Sequence, residues 1–89
     1  IINCYFVLTI VCLMNKKLSQ EFGKVIQNLR KEKGLSQEEL GFRSNLHRTY
    51  IGMIERGEKN ITLENIDRLS KGLDISMKTI FDNLNNLML

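Results

Sequence analysis

The chain is expected to fold as an all-α domain of five helices. It has no proline in its 89 residues, so the strongest helix breaker is absent. From Leu18 onward its apolar residues recur at spacings of three and four, the period of a helix with one buried face. That pattern is interrupted at short intervals by Gly, by Asn or by a capping Ser or Thr. The length suits a single domain, and an apolar share of 43% is ordinary for a globular chain.

The first helix carries Phe22, Val25, Ile26 and Leu29 on one stripe. Ser19 is placed to cap it, and Gly34 to end it after a basic last turn of Lys31 and Lys33. Ser36-Gln37-Glu38-Glu39 reads as a capping box, with acid in the first turn where the helix dipole favours it. The second helix should run to about Arg43, with a turn at Ser44-Asn45-Leu46, where Asn suits a left-handed backbone. A third helix is expected from about His47 to Arg56, stopping at Gly57. Thr62 caps a fourth, carrying Leu63, Ile66 and Leu69 and ended by Gly72. Ser76 caps a fifth, with Ile80, Phe81 and Leu84.

Residues 1–14 stand apart. Twelve of the fourteen are apolar and none is charged. The run is too short for the roughly 20 residues that span a bilayer. A signal peptide would place positive charge ahead of the apolar run, whereas Lys16 and Lys17 follow it. One reading makes Met14 the natural start, with the preceding residues upstream sequence. The other is a true arm, in which Tyr5, Phe6, Val7, Thr9, Ile10 and Val11 favour a strand over a helix. The first is preferred. Residues 1–14 are taken as an apolar extension and 15–89 as the functional domain. Cys4 and Cys12 read as small buried hydrophobes.

Charge is unevenly distributed. Residues 15–60 hold ten Lys or Arg against six Asp or Glu, and residues 61–89 hold three against four. A basic middle beside a near-neutral C-terminal part suits one half that faces a polyanion and another surface behind it. His47 is the only histidine, and no Cys or His pair has metal-ligand spacing, so neither metal nor cofactor is expected. No nucleophile-plus-base pattern or Gly-rich phosphate loop points to an enzyme. Glu38 and Glu39 are explained by the helix dipole.

The segment from Gln37 to Arg56 has the pattern of a helix-turn-helix. Leu40 and Leu46 anchor its first helix and turn, and Ile51 and Ile54 anchor its second. Gly41 sits where the two helices approach closely. A steep crossing exposes the N-terminal half of the second helix, here His47, Arg48, Thr49 and Tyr50. Arg48 can donate two hydrogen bonds to guanine. Thr49 offers a hydroxyl and a methyl, and Tyr50 can bond a phosphate. Gln37 is placed to reach backbone or a base edge, and Lys59 and Asn60 lie in a polar loop beyond. In the fifth helix, Met77, Ile80, Phe81 and Leu84 provide more apolar surface than a small monomer needs. Leu87, Met88 and Leu89 add to it, and together they are expected to form a dimer surface.

Residues 18–84 resemble the Cro/C1-type helix-turn-helix family, whose fold is lambda-repressor-like. Within it, SNLHRTYIGMIERGEKNITLENIDRLSKGLDIS resembles the controller proteins of restriction–modification systems. The resemblance implies a homodimer on a pseudo-palindromic double-stranded operator. It implies autoregulation, control of an endonuclease gene, and RNA polymerase as a further partner. It implies DNA contacts from Gln37, Arg48, Thr49, Tyr50, Lys59, Asn60 and Asn65, and a structural pair between Arg30 and Glu55. Gly41 departs from the alanine usual at its position, and the extension before Met14 lies outside the family pattern. This reading places the protein in the bacterial cytoplasm with no membrane partner. Its rivals are a phage-type repressor, an antitoxin, or a protein-interaction module that does not bind DNA.

Overall fold

The structure, a computed structural model, describes the backbone of residues 4–88 and the side chains of residues 16–87. Five helices follow one another: α1 (Cys4–Glu32), α2 (Gln37–Ser44), α3 (Arg48–Glu55), α4 (Leu63–Leu73) and α5 (Met77–Met88). Among the described residues there is no strand. The side chains of Cys4, Cys12 and Met88, and the whole of Leu89, fall outside the described residues, so the expectations placed on them do too.

The strand that the arm reading placed in the N-terminal segment is replaced by helix. The α1 helix begins at Cys4 and runs for 29 residues. Strand preference is a property of a pleated neighbourhood more than of the residue itself. A lone strand leaves its backbone groups unpaired, whereas a helix satisfies them within the segment. With no proline to stop it, the helix simply continues outward. Ser19 consequently lies inside α1 and caps nothing.

Other boundaries follow local chemistry. Ser36 accepts from the Glu39 N–H at 3.0 Å, and the Glu39 carboxylate accepts from the Ser36 N–H at 3.3 Å. Asn45 takes the left-handed conformation, with φ 57° and ψ 40°. The hydroxyls of Thr62 and Ser76 accept from Asn65 N–H and Thr79 N–H. Gly72 does not end α4. The helix continues to Leu73, and Asp74 supplies the left-handed cap at φ 57°.

Twelve buried side chains form the core: Phe22, Val25, Ile26 and Leu29 of α1, Leu35, Leu40 of α2, Ile51 and Ile54 of α3, Ile66, Leu69 and Leu73 of α4, and Ile80 of α5. The α2 helix packs on α3 and α4, while α1 packs on α3 and α5. These crossings are close because small residues stand at them. A Cβ on Gly23 would overlap the Ile54 carbonyl oxygen and sit 2.8 Å from that of Glu55. A Cβ on Gly41 would lie 2.6 Å from the Leu46 carbonyl oxygen. Gly72 is packed directly against Ser44. Ser44 is 2% exposed, and its hydroxyl makes no hydrogen bond among the described residues.

Candidate nucleic-acid interface

The α2–α3 unit sets its second helix by three local devices. The left-handed Asn45 turns the chain between the helices. Leu46 N–H donates to the Gly41 carbonyl at 2.8 Å, closing the turn. His47 then caps α3, its Nδ1 accepting from the Thr49 N–H at 3.0 Å. This engages one ring nitrogen of His47, an exposed residue. The next two residues, Arg48 and Thr49, are exposed, whereas Ile51 and Ile54 on the opposite side are buried. The amphipathic split thus presents the N-terminal turn of α3 to solvent.

Tyr50 is half-buried against the core, and its hydroxyl accepts a hydrogen bond from Asn65 Nδ2 at 2.9 Å. Asn65 belongs to the first turn of α4. Its amide is therefore turned onto Tyr50.

Behind this face lies an ionic knot joining three helices. The Arg30 guanidinium donates to both carboxylate oxygens of Glu55, from Nε at 2.7 Å and from Nη2 at 3.0 Å. Its Nη1 donates to the Leu35 carbonyl at 2.8 Å. The two side chains are only 11% and 2% exposed. The hydrogen bond from Arg30 to the Glu55 carboxylate raises the Arg30 pKa above its ordinary value, against the opposing effect of burial. Gln37 joins the knot, its Nε2 donating to Glu55 Oε1 at 3.2 Å. Gln37 is half-buried, and its second Nε2 hydrogen and its carbonyl oxygen are left outside the knot.

The loop after α3 closes the face on one side. Arg56 donates twice to Glu58, at 2.9 and 3.2 Å. That contact raises the Arg56 pKa and holds the Glu58 carboxyl below the usual carboxylate range. Lys59 and Asn60 are exposed. The Ser19 hydroxyl donates to Asn60 Oδ1 at 3.4 Å, tying the loop to α1. A cleft lined by Lys16, Ser19, Gln20 and residues 56–60 results. This role of α1 was not legible in the sequence, where Lys16 precedes the helix start marked by Ser19 and Gln20 lies just after it.

Of the expected site residues, Gln37, His47, Arg48, Thr49 and Tyr50 gather around the α2–α3 unit, with Asn65 beside Tyr50. Lys59 and Asn60 stand on the adjoining loop. The apolar set at α5 divides differently. Ile80 is 0% exposed and fills the monomer core, so it cannot touch a partner subunit directly. That is a correction, and its cause is the contact of α5 with α1 and α4. Phe81 remains 41% exposed and Leu87 44%, with Met77 and Leu84 half-buried. Phe81 and Leu84 share an open groove with Leu18, Phe22, Ile61 and Ile66.

No helix among the described residues is long and apolar enough to cross a membrane. No cluster of three or more His, Cys, Asp or Glu among them is placed to hold a metal ion.

Comparison with known proteins decides the family. A helix-turn-helix family profile matches residues 26–80. Control protein C.BamHI of Bacillus amyloliquefaciens is 41% identical over 70 residues, which are 78% of this chain and 86% of that protein. The chain belongs to the helix-turn-helix family of restriction–modification control proteins. The crystal structure of the controller protein C.AhdI from Aeromonas hydrophila superposes with a TM-score of 0.69 at 46% identity, over 71% of this chain and 96% of that one. The controller protein C.Esp1396I, solved as a tetramer in complex with its natural 35 base-pair operator, gives 0.76 at 39% identity, over 80% and 93%. The all-helical fold of this control-protein relative is therefore that of the solved controllers, and the helix-turn-helix occupies the matched region.

Proposed function

We propose that this control-protein family member is a sequence-specific DNA-binding transcriptional regulator acting as a dimer on a pseudo-palindromic operator upstream of its own gene, within a restriction–modification system. One observation carries the reading. The exposed N-terminal turn of α3 presents Arg48 and Thr49 beside an anchored Tyr50, in front of a buried knot that fixes α3 to α1 and α2.

Each residue has a distinct task in this reading. Arg48 reads a guanine edge through its forked donors, and Thr49 reads a neighbouring base through its hydroxyl or methyl. Tyr50, His47 Nε2, Gln37, Lys59 and Asn60 hold phosphates and set the register of the protein on the duplex. Arg30 and Glu55 touch no DNA and keep the reading helix at its angle.

A single α3 reads only a few base pairs, so two copies are needed for a specific site. Phe81, Leu84, Met77 and Leu87 form the dimer surface, where the partner covers the groove that Phe81 and Leu84 share with α1. The two reading helices then lie about one DNA turn apart, roughly 34 Å. Residues 15–89 carry this activity, and residues 1–14 are given no part in it. The protein acts in the bacterial cytoplasm as a regulator and not as an enzyme. RNA polymerase is the machine whose access to the promoter the bound dimer changes.

The test is footprinting on the DNA upstream of the gene. Two protected half-sites with centres about 10 base pairs apart, or a multiple of that, are expected. Uniform weak protection, equal on a scrambled duplex, would contradict sequence-specific reading.

A further inference from the structure

We propose that Asn65 is a positioning residue for Tyr50 and does not itself contact DNA; the assignment rests on the operator reading above. Two hydrogen bonds in series support it. The Asn65 backbone N–H donates to the Thr62 hydroxyl at 3.2 Å, which pins Asn65 in the first turn of α4. Its side-chain Nδ2 then donates to the Tyr50 hydroxyl oxygen at 2.9 Å. The cap of α4 therefore sets the position of an aromatic side chain on α3, fifteen residues earlier in the chain.

The direction of the bond has a chemical consequence. A phenol hydroxyl is one donor and one acceptor group. Asn65 uses it as the acceptor, so the Tyr50 proton is left to be donated outward. A group held in that state matches an acceptor on the nucleic acid: a phosphate oxygen, or guanine O6 or N7. It does not match an exocyclic amine of adenine or cytosine. The ring is half-buried against the core, so its swing is limited, and the hydroxyl is aimed before DNA arrives. Preorganisation of this kind adds affinity without a contact of its own.

A positioning role and a direct contact differ in how they combine with loss of the Tyr50 hydroxyl. The test is a double-mutant cycle on operator affinity, using Asn65→Leu, Tyr50→Phe and the pair, on the native duplex. Loss of one neutral hydrogen bond predicts that Asn65→Leu weakens binding about three- to tenfold. In the Tyr50→Phe background the same substitution should cost less than about twofold, because the group it served is gone. An equal factor in both backgrounds, as for an independent DNA contact or a purely structural role, would overturn the assignment. So would an unchanged affinity of Asn65→Leu alone. If circular dichroism shows Asn65→Leu unfolded, Asn65→Ala takes its place in the cycle with the same criteria. Absence of wild-type binding to its own duplex would overturn the operator reading, and this assignment with it.

Discussion

At the scale of single residues, the Arg30–Glu55 pair has the largest stake in the fold. Both side chains are nearly excluded from water, and the guanidinium meets the carboxylate through two donors. A buried pair is a weak source of net stability, yet removing one partner strands the other charge. Arg30→Ala should therefore lower unfolding free energy by about 3 kcal/mol in urea denaturation. A loss under about 1 kcal/mol would mean that water reaches Glu55 once Arg30 is gone. The pair was legible in the sequence only through resemblance. Residues 25 positions apart leave no local signal of their contact. Asn45 was legible on its own, because few residues other than glycine accept its backbone conformation. His47 was legible as exposed but not as a cap, since histidine is not among the preferred capping residues.

At the scale of elements, periodicity and the caps at Ser36, Asn45, Thr62 and Ser76 could be read, and the start of α1 and the end of α4 could not. The stripes of α1 and α3 follow from the three- and four-residue spacing of residues now seen buried; in α4 Ile66 and Leu69 are buried, while Leu63, at the first position of the helix, is 68% exposed. The start of α1 did not follow from spacing, because β-branched content argued for a strand. Only the absence of a partner strand settles it. Gly72 misled for a related reason. A glycine near a helix end reads as a terminator, yet its work is to let α4 lie against Ser44. Gly23 plays the same part between α1 and α3. It follows Phe22 of the apolar stripe, but nothing in the sequence marks its burial or the carbonyl that faces it. Gly23→Ala sets a helix-propensity gain of about 0.5–1 kcal/mol against collision with two backbone carbonyls, which cannot swing away. Collision should win, with a net loss of about 2 kcal/mol in thermal or urea unfolding. An increase in stability would show that α1 slides freely on α3.

At the scale of the whole molecule, the proposed function divides the domain between a reading half and a pairing half. The basic stretch from Lys16 to Lys59 holds the α3 face and its flanking loop. The near-neutral C-terminal part holds the exposed Phe81 and Leu87. Phe81→Glu puts a charge into the proposed dimer surface while leaving the buried Ile80 in place. It should shift the protein from dimer to monomer in sedimentation at micromolar concentration. Operator affinity should fall at least tenfold, since each half-site is then held alone. A variant that stays dimeric would move the interface elsewhere.

The N-terminal turn of α3 is proposed to read an operator. Fluorescence-anisotropy titration of wild type and Arg48→Ala against the native upstream duplex and a scrambled one, at two salt concentrations, tests this most directly. Tight, salt-dependent binding of wild type to the native duplex is expected, weakened by about 1–3 kcal/mol in Arg48→Ala, with little change on scrambled DNA. Equal weak binding to both duplexes, unaltered by the substitution, would contradict it.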